Sequence, residues 1–523
     1  MKKSKKLIRK IEQIDNSKII KCIYSLFLTL FIFSNLYNYF NSNPTNKILP
    51  TFLTIFSCII AILIIFCGEK ILKNVKLEKI FLICALFFGS LYIIICPLFT
   101  GSDEHNHYYR IYELSDMKLL TPIQDNIIGG NLPRALVDCF VLDKEPANRN
   151  LYIKYQDLNE MLKVKIDKKD TIKYGTNYQT EYVNASIYSP FQYLPHIIGF
   201  IIGKITNSPY LIGIFGRITN LLIFVALAYH AIKIIPKGKL FYFTILLSPV
   251  VLSGASTLSC DAFTNSLVLL FIAYLMRYLK DDKKIDKKTK IGLFVISAFI
   301  SVCKIVYLPI ILLIFMIPSN RFKNKKDKNI YTISMIVTGI ILNMIWMKFT
   351  NPYFEIYYAN SKAQEIFIFK NLIRYILIVF NTYGNIIFSL FENMFVGKQM
   401  YHTGLQFPTL LSLLYIIFVF LSLFNENRGL KLKKIQCYGI VCVQLIIIAL
   451  ITTALYIQCT ATFAGVGYDE VVGIQGRYFI PLLFLLPFII NLKKELVKKE
   501  HIIIFVMIVQ IITINTMICH FFI

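Results

Sequence analysis

The chain has 523 residues, 56% of them apolar and 15% aromatic, with a mean hydropathy of +0.60, whereas a soluble domain is roughly 45–50% apolar. This composition excludes an ordinary soluble protein and points to a polytopic membrane protein. The formal net charge of +26 does not indicate a nucleic-acid partner, because most Lys and Arg fall in short clusters between apolar runs, where they orient a membrane protein.

Taken in order, residues 1–21 are basic and lead into an apolar run. No small-residue cleavage site follows Leu36 to Asn43, so the run is expected to stay as the first transmembrane helix. Runs from near Ile19, Leu49 and Ile80 each reach the roughly 17–25 residues that a span needs. Lys2, Lys3, Lys5, Lys6, Arg9 and Lys10, then Lys70, Lys73, Lys76 and Lys79, place the N-terminus and the second loop on the cytoplasmic side. The stretch after Phe99 is then extracytoplasmic.

That stretch, Gly101-Ser102-Asp103-Glu104-His105-Asn106-His107-Tyr108-Tyr109-Arg110, puts two acids, two imidazoles and a guanidinium at the mouth of a membrane segment. Ser102 reads as an N-cap and the acids suit the helix dipole, so a helix is predicted from Asp103, with Asp103, His107 and Arg110 on one face. A solvated, acidic helix start is the plainer reading. From there to about Ser186 runs one long polar loop, in which short interfacial helices are expected. Its two ends, Asp103 to Arg110 and Tyr188-Ser189-Pro190-Phe191, are expected to meet at the membrane surface.

Later basic clusters at Lys233 to Lys239, Lys280 to Lys290, Arg321 to Lys328, Arg428 to Lys434 and Lys493 to Lys499 are also expected on the cytoplasmic side. Counting crossings puts Ser253 to Asp261, Lys304, the Tyr353 to Gln406 region and the Cys459 to Tyr478 loop outside, with Asp103. Parity fails around Pro190 to Ile232 and Asn371 to Phe391, so one run in each region is expected to be re-entrant or interfacial around an outward-opening cavity. The expected fold is all-α: a single integral membrane domain over 1–523 with about 11–14 transmembrane helices. Residues 1–98 hold the first three helices, 99–186 the extracytoplasmic loop and 187–523 the rest. No inverted internal repeat is visible. The twelve cysteines are scattered singly and form no metal-ligand spacing.

Several polar residues on the outer side carry two readings. Asp261 sits where a helix should begin, so capping competes with catalysis. Lys304 lies near the centre of the apolar stretch Ile291 to Pro318, and two short helices meeting there fit better than one helix burying a bare ammonium. Arg217, inside an apolar run, is either functional or half of a buried ion pair. In the last outer loop, Gly473-Ile474-Gln475-Gly476-Arg477-Tyr478-Phe479 leads an arginine into the next helix. Its guanidinium can grip a phosphate through a forked pair of hydrogen bonds, with Gly476 letting the phosphate approach the backbone, or it can simply anchor the helix at the interface.

Together, Asp103-Glu104 with His107 and Arg110, the stretch Ser259 to Asn265, Lys304 before Tyr307-Leu308-Pro309, and Gln475 to Phe479 before a proline-containing helix resemble a family of bacterial predicted membrane proteins. That family in turn is similar to the GT-C class of membrane glycosyltransferases. The resemblance implies transfer of a sugar from a polyprenyl-phosphate-linked donor to an envelope glycan or lipid acceptor at the outer face of the cytoplasmic membrane. It implies Asp103 or Glu104 as the base, and Arg477 with Lys304 on the departing phosphate. His107, Arg110, Asp261, Gln475 and Tyr478 join the substrate-binding set. Asp103, Glu104 and His107 are the candidate ligands for a divalent cation, Mg or Mn. Gly101-Ser102 departs from the family pattern, standing where a proline is expected before the acidic pair. Rival classes are a transporter or flippase of lipid-linked saccharide, which should bury several charges deep in its spans, and a non-catalytic partner in envelope polysaccharide assembly.

Overall fold

The computed structural model describes residues 16–41, 48–124, 126–138, 158–172, 182–397, 407–425, 430, 432–490 and 496–521. The basic stretch 2–10, which orients the N-terminus in the sequence reading, lies outside them, as do Arg428 and Lys493 of the later clusters. Among the described residues the principal helices are α1 (Asn16–Asn41), α2 (Ile48–Leu72), α3 (Leu77–Ile95), α4 (Glu104–Ser115), α5 (Leu194–Gly203), α6 (Pro209–Ile234), α7 (Lys239–Leu246) and α8 (Pro249–Ala255). They continue as α9 (Asp261–Lys280), α10 (Lys287–Cys303), a 3-10 segment (Ile305–Met316), α11 (Lys325–Tyr357), α12 (Ser361–Lys370), α13 (Leu372–Phe395), α14 (Thr409–Phe424), α15 (Lys434–Leu455) and α16 (Lys499–Phe521). Eight of the described helices are long and apolar enough to cross a membrane, and shorter apolar helices such as Ile305–Met316 and Thr409–Phe424 accompany them. The protein is an all-α polytopic membrane protein. Strand pairing among the described residues is confined to two short antiparallel ladders in the polar loop, Ile123 opposite Ile128 and Leu132 opposite Ile172.

Two helices form the centre: the apolar window of α9 is 83% buried and that of α16 89%, against 22% for α11. A helix that is apolar all round suits either a packed core or lipid. The central pair takes the first option, while α11 leaves Ile333, Ile341 and Met344 exposed on its outer face. Chain breaks inside the bundle are satisfied by side chains, as a water-poor interior demands. Pro249 starts α8 and ends the ladder of α7. The Leu247 carbonyl freed at that break accepts a bond from Gln510, whose amide oxygen accepts from Tyr92 at 2.6 Å.

The basic loops gather at one end of the bundle. Lys21 and Lys498 pair with Glu69 at 3.2 and 3.4 Å, Lys290 with Asp327 at 2.7 Å, and Arg321 with Asp282, while Lys237 donates to the Ile490 carbonyl at 3.1 Å. The polar residues singled out as the site lie at the other ends of the same helices.

The two regions of failed parity also have a structural account. Helix α5 has 10 residues, roughly 15 Å at 1.5 Å per residue, which is too short to span. It folds back on α6 so tightly that a Cβ on Gly199 would lie 2.2 Å from the Phe215 carbonyl oxygen. Helix α13 is long enough to cross, yet its Tyr375 and Tyr383 bond Thr453 and Thr452, both in the last turn of α15, at 2.8 and 2.7 Å. Arg374 pairs with Asp469 and Asn385 donates to Glu470, each at 2.9 Å. The helix thus lies across the end of α15 and alongside the loop that follows it, with Ile373, Phe380 and Phe388 exposed on its other face.

Candidate functional site: an ion-lined cleft at one end of the bundle

Three charged side chains from distant parts of the chain meet at this end. Asp261 opens α9, where it leaves the cap position to Cys260 and turns its carboxylate to cations. Lys304 occupies the break between α10 and the 3-10 segment, with an extended backbone that ends one helix and starts the other. Its Nζ reaches Asp261 Oδ1 at 2.5 Å. Arg477 stands on a single 3-10 turn, Gly476–Phe479, with its Nε 3.5 Å from Asp261 Oδ2 and its Nη2 3.5 Å from Ser102 Oγ. Both contacts are long for a guanidinium. The Tyr478 ring lies beneath both cations, 5.0 Å from Lys304 Nζ and 5.6 Å from Arg477 Cζ, and its carbonyl accepts from Tyr307 at 2.8 Å. Burial works against the Lys304 ammonium, yet the Asp261 carboxylate beside it holds its pKa above the ordinary lysine range.

Two openings share this cluster. One is polar: Asp103, His107, Asn184 and Gln192 line it together with Asp261, Lys304, Arg477 and Tyr478. The other is more apolar, running between Val250, Val251, Ala262 and Ile480 with Ser253, Thr257 and Asn265 also in its wall, and it reaches Asp261, Ser102 and Arg477 from the opposite side. Asp261 and Arg477 therefore stand on the boundary between a polar and a more apolar space.

Asp103 faces the polar space from a left-handed backbone conformation, φ 53°, which Asp tolerates better than most residues. Helix α4 starts at Glu104, one residue later than predicted, and Ser102 gives it no side-chain cap. His107 Nδ1 bonds the Tyr193 hydroxyl at 2.8 Å, and its ring stacks on Tyr188 with centroids 6.0 Å apart. The two ends of the polar loop thus meet. Burial, reinforced by Arg477 and opposed by Asp103, lowers the His107 pKa to about 4, so its imidazole is neutral at pH 7.

Four predicted placements need correction. Glu104, read as a possible base, is 1% exposed and wholly engaged. Its oxygens accept from Arg217 Nε at 2.8 Å and Nη2 at 2.7 Å, and from the Gly101 and Leu258 amides at 3.0 Å each. Burial alone would raise its pKa, but the Arg217 guanidinium and the two N–H groups hold it below the usual carboxylate range. Arg217 also donates to the Cys96 and Pro97 carbonyls, so the pair fastens the end of α3, the start of α4, α6 and the turn before α9. Arg110 is fully buried away from the cleft, donating to Glu113 at 3.1 Å and to the Leu119 carbonyl at 2.6 Å. Gln475 supplies the extended residue before the Arg477 turn and lines neither opening. Gly476 admits α13 rather than a ligand, since a Cβ there would lie 2.5 Å from the Leu390 carbonyl.

The Asp103, Glu104 and His107 set does not fit a divalent cation, because Glu104 is held by Arg217. Among the described residues no three His, Cys, Asp or Glu side chains group as metal ligands. Sequence reasoning also missed Asn184 and Gln192, which flank the noted Tyr188 to Phe191 stretch. An uncharged amide in a polar loop gives no signal of its own.

These observations define a helical membrane protein of several spans with an ion-lined cleft at one end of its bundle. The chain belongs to the predicted membrane protein family DUF2142, which matches residues 82–486 and so includes Asp103, Asp261, Lys304 and Arg477. No curated protein and no solved structure matches it.

Proposed function

We propose that the protein is a membrane glycosyltransferase that moves a sugar from a polyprenyl-phosphate carrier to an envelope glycan or lipid acceptor at the outer face of the cytoplasmic membrane. The observation that carries this reading is the position of Arg477 and Asp261 between a polar and a more apolar space, with Lys304 paired to Asp261 on the polar side. A lipid-linked sugar phosphate has the same division: an apolar tail, an anionic joint and a polyhydroxyl head. In this reading the tail lies along Val250, Val251 and Ile480, and the phosphate sits against Arg477, whose long contacts leave its guanidinium able to take a stronger acceptor.

Asp103 takes the proton of the acceptor hydroxyl as that oxygen bonds to the anomeric carbon. The bond from that carbon to the phosphate oxygen breaks, and the phosphate leaves with the electron pair. Arg477 and Lys304 stabilise the charge that grows there, and no covalent carboxylate intermediate is required. His107, neutral and fixed by Tyr193, positions hydroxyls. A transporter would expose charge deep in its spans, whereas the deep Arg217 is consumed by Glu104.

The test is transfer of radiolabelled hexose from polyprenyl phosphate to extracted envelope glycans or lipids by the full chain in vesicles. Label should move with the wild type and stay on the carrier with Asp103→Asn. Transfer that persists when Asp103→Asn and Asp261→Asn are combined would overturn the assignment. The side of the membrane is tested with a membrane-impermeant thiol reagent on Arg477→Cys in a cysteine-free background. Labelling only after the inner face is opened would refute an outward-facing site.

A further inference from the structure

Gln192 is fully buried, yet neither its Oε1 nor its Nε2 has a hydrogen-bond partner, and it lines the polar opening beside Asp261 and Lys304. Leaving both ends of an amide unmatched in a buried position is costly, and native proteins rarely do so without a ligand or function at the spot. The residue is rigidly held: Ser189 Oγ accepts from the Phe191 amide at 3.3 Å to start the 3-10 turn Pro190–Tyr193. The turn runs on directly into α5, and the Gln192 amide N–H donates to the Ser189 carbonyl at 3.1 Å. Trp346 fixes the approach to this turn by donating to the Ile187 carbonyl at 2.8 Å. Asn184 lines the same opening from the other side of Tyr188.

We infer that Gln192, with Asn184, forms a subsite for the hydroxyl groups of a neutral monosaccharide, next to the phosphate position at Arg477. The amide presents donors and an acceptor together, and a sugar hydroxyl is both, so each Gln192 end finds its complement on a polyol. The formal charges around the opening favour an uncharged guest: Asp103 and Asp261 balance Lys304 and Arg477, and His107 is neutral. This inference rests on the donor reading of the cleft given above, and it names the part of the donor that the polar opening holds.

The experiment compares binding to the full chain in lipid nanodiscs. The probes are bare polyprenyl phosphate and the same lipid carrying glucose, galactose, mannose or N-acetylglucosamine. The wild type should bind at least one sugar-bearing lipid tenfold or more tightly than the bare lipid. Gln192→Leu should bring that ratio to about one while leaving the bare-lipid Kd within twofold. Gln192→Met serves as the second variant if the first does not fold. A wild-type ratio near one for all four sugars, or a ratio preserved in both variants, overturns the subsite. The phosphate reading fails separately, if the bare lipid does not bind or binds equally to Arg477→Ala. In that case methyl glycosides of the same four sugars decide the subsite alone: binding lost in Gln192→Leu supports it, and no binding to the wild type overturns it.

Discussion

Two ion clusters are joined through a short stretch of backbone before α9 and have opposite characters. Glu104 and Arg217 form a pair 1% and 0% exposed, in which every strong hydrogen-bonding direction of the carboxylate is used. Asp261, Lys304 and Arg477, at 18, 17 and 25% exposure, make one close contact and several long ones. The first holds the backbone that carries the second: Asp103 is the neighbour of Glu104, and Leu258, whose amide Glu104 binds, precedes Asp261 by one turn. Asn220, one helical turn beyond Arg217, adds bonds to the Ala255 and Thr257 carbonyls at 3.2 and 3.0 Å. A saturated cluster can only stabilise, whereas an unsaturated one at a cleft can exchange partners, and only the second is suited to bind and release an anion.

The sharpest way to break this contrast is to remove one partner of the saturated pair. Arg217→Met leaves a buried carboxylate without its cation and is expected to destabilise by about 3–5 kcal/mol. Glu104→Leu combined with Arg217→Met should recover part of that loss. Thermal unfolding in detergent with a double-mutant cycle measures both, and additive losses would mean that the two residues do not act as a pair.

At the unsaturated cluster the expected effects fall on turnover. Asp103→Asn keeps a residue that accepts the left-handed backbone, so stability should stay within about 0.5 kcal/mol while transfer falls by about 10²–10⁴-fold. Equal loss of stability and activity in unfolding and transfer assays would make Asp103 structural. Arg477→Ala should lower transfer at saturating donor by about 10²–10³-fold. Arg477→Lys, which retains charge without the fork, should recover only part of it. Full activity in both would leave Arg477 as an interfacial anchor.

A smaller effect concerns pH. The Glu104 carboxyl titrates below its ordinary value in the folded state, so its contribution to stability is fully present above the unfolded pKa of about 4.3 and is lost as pH falls through the lower folded value. The His107 pKa, lowered to about 4, places its titration in the same acidic range and leaves it neutral from pH 6 to 8. Stability followed by thermal unfolding should therefore be level from pH 7 to 8, decline between about pH 6.5 and 4 as unfolded His107 takes up a proton that the folded imidazole does not, and decline further below about pH 4 as Glu104 is protonated. In Glu104→Leu with Arg217→Met the acid decline should be shallower, and an unchanged slope would assign it to other carboxylates.

That the chain is a membrane protein of many helices is legible from local patterns, since apolar runs of span length and basic loops are local properties. The sequence also marks the break at Lys304, because a bare ammonium in a long apolar run demands one, and it names Asp103, Asp261 and Arg477 as residues of one end. Which acid of the pair Asp103-Glu104 faces the cleft depends on long-range packing. Asp103 stands in a left-handed conformation just before the helix and Glu104 is its first residue, so the two side chains point apart, and the buried Arg217 claims the one on its side. Long-range packing likewise decides that Arg110 belongs to Glu113, that Gly476 exists to admit α13, and that Gln192 faces the opening. Each of these depends on what another segment, tens to hundreds of residues away, brings to the same place, and no local pattern in the chain records it.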